Sequence, residues 1–178
     1  MGSPKDLVRL RDDRTMLDHV IDAVTPLAVP IIISAAANPH AELIERGVRV
    51  IPDEFPFEGP LVAVAHALEV AGHASLLVVC CDQPIMDREA LAAMASAPEG
   101  CLIIFCRQDG TIISPLPCRI PAAALPQLKL AIAAGERSPR RAFAAFDCHY
   151  IGVSDATAAR FASFNSMDDL RAAGLLDA

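Results

Sequence analysis

The sequence predicts an α/β fold: a three-layer, doubly wound, mostly parallel sheet carrying a small hairpin insertion. Three observations lead there. Short apolar runs of strand length recur without polar alternation, as in parallel strands covered on both faces. Segments with apolar residues at helical spacing separate them. The order through the first eighty residues is α-β-α-β-α-β, which right-handed crossovers build into a layered sheet.

Residues 14–25 open the pattern, with Met16, Leu17, Val20, Ile21 and Val24 forming one apolar stripe. The run "VPIIIS" (29–34) is the first strand, followed by a helix over 39–46 and the strand "VRVIP" (48–52). Gly59-Pro60 opens a helix over 60–71, since proline suits the first helical position. The strand "SLLVVCC" (75–81) follows. "DREALAAMAS" is a helix whose first turn carries Asp87 and Glu89, favourable to its dipole. "CLIIFCRQDGTIISPL" reads as a hairpin turning at Asp109-Gly110, a pair that tolerates positive φ. Alanine-rich helices over 121–134 and 137–145 break at Gly135, and "CHYIGV" (148–153) is a further strand. In "FNSMDDLRAAG", Ser166 is an N-cap, Asp169 completes a capping box and Gly174 ends the helix. No repeat or linker interrupts this order, so one domain is expected over 1–178. No strand precedes the first helix. A sheet built on 29–34 and 75–81 alone is expected to show a gap or two bare edges.

Composition narrows the class of function. Hydrophobic residues make up 53% of the 178, which excludes disorder, and only 4% are aromatic, so the core is aliphatic. A net charge of −7 argues against a nucleic-acid partner, which needs a basic surface. The first twenty residues are charged throughout, unlike a signal peptide or membrane span, so a cytoplasmic protein is expected. The six cysteines (80, 81, 101, 106, 118, 148) form no Cys-x-x-Cys pair and read as free thiols, not a zinc or disulfide framework.

Several stretches can carry chemistry. Asp82 in "CCDQP" follows an inner strand, at the end where such sheets bind ligands. A carboxylate there suits magnesium, which takes one or two protein carboxylates and fills its shell with phosphate and water. Capping of the next turn is the competing reading. Gly59 allows close backbone approach to a flat base, and the helix start beyond it favours an anion. Asp53 is a second carboxylate at a strand end. Lys5, close to Gly2, is a cation suited to phosphate. "GERSPRR" gathers Arg137, Arg140 and Arg141 with Ser138 as a cap, either an anion site or a basic helix face. The histidines at 19, 40, 66, 73 and 149 show no metal spacing or catalytic pairing.

The order "MGSPK", an Asp after a strand, "GPL", "CDQP", "GERS" and "FNSMDDL" resembles the molybdenum cofactor guanylyltransferase family over essentially the whole chain. The resemblance implies a nucleotidyltransferase fold, nucleotide-diphospho-sugar-transferase-like. It also implies transfer of GMP from GTP to molybdopterin with release of pyrophosphate. On that basis Lys5 meets the phosphates, Gly2 also belongs to the nucleotide site, and Asp82 holds Mg2+. Asp53, Gly59, Pro60 and Leu61 surround guanine and ribose, while Arg137, Ser138 and Asn165 approach the pterin. A molybdoenzyme or another cofactor-biosynthesis protein is the implied protein partner, to a monomer or homodimer.

The sequence departs from the family at its start. The family opens with a strand and a Leu-Ala-Gly-Gly-x-Ser-x-Arg stretch, of whose junction only Met1 and Gly2 are present. Ala63 and Ser163 replace a frequent glycine and asparagine. A misassigned start or a truly short chain would each produce this, and both imply a weak enzyme as written. One donor to a charged transition state is worth ~3–4 kcal/mol, and a loop of donors is missing. A transferase using CTP or a sugar phosphate is the near alternative. A non-catalytic scaffold that delivers the pterin cofactor, or dimerises through its unfilled sheet, is the alternative from another class.

Overall fold

The computed structural model describes residues 5–27, 30–35, 41–45, 47–52, 59–72 and 75–177. After a 3-10 turn at Lys5–Leu7 come α1 (Met16–Val24), β1 (Ile32–Ala35), α2 (Ala41–Glu45) and β2 (Arg49–Pro52). Next are α3 (Pro60–Ala71), β3 (Leu76–Val78), α4 (Arg88–Ser96), β4 (Leu102–Arg107) and β5 (Cys118–Ile120). The chain closes with α5 (Leu125–Ala133), α6 (Pro139–Phe143), β6 (Cys148–Val153), α7 (Asp155–Ala159) and α8 (Met167–Ala172).

Local chemistry accounts for several of these bounds. Thr15 and Asp18 close a capping box on α1, whose apolar stripe is buried. Asp87 caps α4 from outside the helix, accepting from the Ala90 N–H at 3.0 Å. Ser166 and Asp169 form the expected box on α8.

The strands fall into two sheets. β1 pairs in parallel with β2, Ile32 facing Arg49 and Ala35 facing Pro52. The second sheet has the order β3-β5-β4-β6. There β5 is antiparallel to both neighbours and β4 is parallel to β6, so β3, β4 and β6 run the same way. The mostly parallel sheet is therefore present, with one reversed strand.

Along β4, alternate residues enter opposite cores. Leu102 and Ile104 pack with Leu61, Leu68 and Leu128 from α3 and α5. Ile103 and Phe105 pack with Val20, Leu91 and Met94 from α1 and α4. Helices on both faces explain why this strand is apolar throughout.

Among the described residues no ladder joins β1 to β3, although α1 packs against both. Ile33 lies with Leu17 and Ile21, while Leu77 and Val79 lie against Val20, Ala23 and Val24. Every residue of β3 is only partly buried, whereas all of β5 is buried. Among the described residues each sheet thus ends in an unpaired edge, in line with the expected gap.

The expected hairpin is corrected in its second arm. The turn forms, with Gly110 at φ +84° and Asp109 accepting from the Thr111 N–H at 2.9 Å. The returning chain makes a single bridge, Cys106 to Ile112, and the ladder against β4 comes from β5 instead. Pro115 and Pro117 supply no N–H, so pairing resumes only at Cys118. The predicted helix over 121–134 begins as a 3-10 turn, Ala122–Ala124, before α5, and Gly135 breaks it at φ +90°.

Candidate active site

Three segments distant in sequence meet beyond the carboxyl end of β3. The ladder stops at Val78, and Asp82 sits in the turn four residues later, not directly on the strand. The closing segment of the chain is stitched onto that turn. The Phe164 N–H donates to the Asp82 carbonyl at 2.9 Å, and Gln83 Nε2 donates to the Phe161 carbonyl at 2.7 Å. Arg160 Nε donates to the Ile85 carbonyl at 3.2 Å and lies 3.7 Å from the Asp87 carboxylate.

The opening segment joins them through Lys5, whose ammonium donates to Asn165 Oδ1 at 2.6 Å. The electrostatics describe one shared neighbourhood. Burial pushes the Cys81 thiol up to about 11, aided by the charges of Asp82 and Asp6 and opposed by Lys5. The Asp169 carboxyl is held below its usual range by the Ser166 hydroxyl, then by the Asn165 and Ser166 N–H groups, with Lys5 adding its field. Lys5, Asp82 and Asn165, three of the sequence-predicted residues, are therefore brought together.

Within that cluster, Asp82 Oδ1 is buried and has no hydrogen-bond partner. Buried polar oxygens normally find a donor, so one left bare at a strand end is a place for a cation or water. Gln83 Oε1 is the other such side-chain atom among the described residues, and Gln83 is only 1% exposed.

A second cluster forms at the start of α3. Gly59 has φ +92° and ψ +167°, which side chains other than glycine rarely adopt. A Cβ there would stand 3.3 Å from the Arg137 carbonyl oxygen and 3.4 Å from its Cβ. On the side where a Cβ would stand, the close approach Gly59 permits is to the main chain of Arg137. Pro60 is exposed at the first helical position, whereas Leu61 is wholly buried and offers a ligand nothing but main chain.

Arg137 and Ser138 belong to a turn organised by Glu136. One carboxylate oxygen of Glu136 accepts from the N–H groups of Arg137 and Ser138, both at 2.7 Å. Arg141 binds both carboxylate oxygens, at 2.7 and 2.8 Å. Together these donors hold the Glu136 carboxyl down at about 2, Arg141 contributing most. The expected basic patch is accordingly narrower. Arg141 is engaged by Glu136, and Arg137 Nη1 donates to the carbonyls of Ile132 and Glu136. Ser138 stands at the N-cap of α6 without a side-chain capping bond, and its own N–H donates to Glu136.

Gly2 and Asp53 lie outside the described residues. Among those described, no group of three or more His, Cys, Asp or Glu could hold a metal by itself. A concavity of roughly 230 Å³ opens elsewhere, between Arg107–Asp109 and Val153–Asp155. Its lining includes the Arg107–Asp155 ion pair, both residues substantially exposed, together with Asp109 and Ser154.

Sequence reasoning weighed Asp82 but passed over Gln83 beside it, and weighed the arginines of "GERSPRR" but not Glu136. An acidic residue beginning a basic run was the available signal for Glu136. Nothing local announces Gln83, whose partners Leu116 and Phe161 are far along the chain.

Comparison with known proteins bears on the family and the fold. Residues 1–156 match the model of the MobA-like NTP transferase domain. A molybdenum cofactor guanylyltransferase of Ectopseudomonas mendocina is 33% identical over 180 residues, spanning 98% of this chain and 85% of that protein. One from Pseudomonas syringae pv. tomato is 34% identical over 147 residues, 79% of this chain and 70% of the relative. Among solved structures, molybdopterin-guanine dinucleotide biosynthesis protein A of Archaeoglobus fulgidus superposes with TM-score 0.74 at 21% identity, covering 97% and 89% of the two chains. The 2-C-methyl-D-erythritol 4-phosphate cytidylyltransferase of Thermus thermophilus superposes at 0.69 with 16% identity, over 96% and 92%, a likeness of fold alone. With the family model spanning most of the chain and relatives a third identical along it, the protein belongs to the MobA-like NTP transferase family and resembles its molybdenum cofactor guanylyltransferases.

Proposed function

We propose that the protein transfers GMP from GTP to molybdopterin with release of pyrophosphate. The observation that carries this reading is that one continuous segment, Phe164–Asn165, binds both the Lys5 ammonium, through the Asn165 side chain, and the turn that carries Asp82, through the Phe164 N–H. In such a transfer an oxygen of the acceptor phosphate attacks the α-phosphorus of GTP. The bond from that phosphorus to the bridging oxygen breaks, and the electron pair leaves with pyrophosphate. Charge gathers on the leaving group, and a fixed ammonium lowers the energy of that state in a way mobile water cannot.

The unpartnered buried Oδ1 makes Asp82 a fitting Mg2+ ligand, since magnesium accepts a single protein carboxylate and takes its remaining oxygens from phosphate and water. Bound there, it would neutralise phosphate charge alongside Lys5. The start of α3 at Gly59-Pro60 would receive the nucleoside. The turn Arg137–Ser138 would face the acceptor. The proximity of Gly59 to Arg137 supports placing the two substrates side by side. Free thiols at all six cysteines suit a reducing cytoplasm, and no helix among the described residues is long and apolar enough to cross a membrane.

The test offers GTP and CTP in parallel, with Mg2+ and molybdopterin, and measures binding and dinucleotide formation. GTP is expected to be preferred at least about tenfold, a difference of roughly 1.4 kcal/mol. A preference for CTP, or binding of neither nucleotide, overturns the reading. Asp82→Asn should retain the thermal midpoint while turnover falls about 10²–10³-fold.

A further inference from the structure

The loop that leads into α8 holds the amine of the first described residue. Asn165 is 160 residues from Lys5, yet its side-chain oxygen lies 2.6 Å from that ammonium. The amide projects from unusually constrained backbone. Three successive N–H groups are occupied: Phe164 to the Asp82 carbonyl at 2.9 Å, then Asn165 and Ser166 to Asp169 Oδ2 at 2.9 and 2.8 Å. Phe164 is itself buried against Val8, Leu10 and Met16, which follow the Lys5 turn.

We propose that Asn165 is a positioning residue for Lys5, anchored through its backbone by Asp169. The inference rests on the reading that Lys5 meets the triphosphate. A lysine has four rotatable side-chain bonds, and holding it before the nucleotide arrives removes an ordering cost from binding and from the transfer step. An asparagine serves this purpose because it accepts a hydrogen bond without cancelling the charge. An aspartate in its place would hold the ammonium and neutralise it. Asp169 stands one step further back, reaching Lys5 through the backbone that carries Asn165. The same carboxylate that caps α8 thereby steadies the group that holds the Lys5 cation.

The experiment is a double-mutant cycle on Mg·GTP affinity with Lys5→Ala and Asn165→Ala, each variant first checked for an unchanged thermal midpoint. Asn165→Ala is expected to weaken binding about tenfold in the native background, the scale of one charge-assisted hydrogen bond. In the Lys5→Ala background it should have almost no further effect, and Asp169→Ala should follow the same pattern. Equal losses in both backgrounds, or a rise confined to the KM for molybdopterin, overturn the proposal. If Lys5→Ala itself leaves GTP affinity unchanged, the triphosphate role of Lys5 fails instead.

A second readout does not depend on nucleotide. The chain contains two lysines, Lys5 and Lys129, and the latter pairs with Glu69 at 2.6 Å. After reductive methylation with labelled carbon, Asn165→Ala should move the Lys5 signal and leave the Lys129 signal in place. Asn165→Asp should change the Lys5 signal less than Asn165→Ala, while weakening GTP more. An unmoved Lys5 signal in Asn165→Ala shows that the contact is absent and ends the proposal.

Discussion

Replacing Gly59 by alanine tests how tightly the start of α3 is fitted to its neighbour. Two penalties are expected. The backbone at φ +92° and ψ +167° is essentially restricted to glycine, and another residue there costs about 1–3 kcal/mol. The new Cβ would also stand 3.3 Å from the Arg137 carbonyl oxygen, closer than a methyl group sits comfortably. That carbonyl cannot retreat freely, because Glu136 holds the N–H groups on both sides of Arg137 Cα and carbonyl, its own and that of Ser138. With about 1 kcal/mol for the contact, the total is about 3 kcal/mol. For a chain of this length the thermal midpoint should fall by roughly 6–12 °C. Gly135→Ala is the matched control, with φ +90° and no atom within 4 Å of its would-be Cβ. It should suffer the backbone penalty alone, about 1–2 kcal/mol. Urea unfolding of both variants measures the difference. A Gly59→Ala loss within about 0.5 kcal/mol of the control would refute the claim that Arg137 closes over this glycine.

Glu136→Gln should narrow its stability gap to the native protein as pH falls. The Glu136 carboxyl is held at about 2 in the fold against 4.5 when free, so its contribution is complete above 4.5 and disappears between there and about 2. Thermal midpoints of both proteins across that window check the sign, and a gap that widens on acidification contradicts it. The thiols of Cys80 and Cys81, pushed up to about 12 and about 11 chiefly by burial and secondarily by Asp82, should resist alkylation in the folded protein near pH 8. Mass spectrometry after brief iodoacetamide treatment should find them modified only on unfolding. Labelling at the unfolded rate would show that this end of β3 is open.

Much of the local structure was readable in advance because its rules reach only a few residues. The Ser166–Asp169 capping box, the break at Gly135 and the strand at 148–153 depend on neighbours three or four positions away, and each stands where the pattern put it. The apolar stripe of α1 is equally local. The return arm of the hairpin was misjudged because the run Ile112–Ile113 carries strand character, while Pro115 and Pro117 deny it the donors that a ladder needs. The site divides in the same way. Asp82 and Gly59 stand out as a carboxylate after a strand and a glycine before a helix. The neighbour of Gly59 could not be read from either feature.

By itself the sequence determined most of the helices and strands, though not β5 or α7, that an aliphatic core covers the sheet on both faces, and which residue types offer a cation, a carboxylate and a flexible turn. Only the tertiary structure decided that β5 runs between β3 and β4, that Glu136 organises the turn against Gly59, and that Lys5 is held by Asn165. The physical reason is range. Periodicity, capping and turn chemistry act along the chain over one or two helical turns, whereas a hydrogen bond between residues 5 and 165 exists only once packing has closed the loop between them.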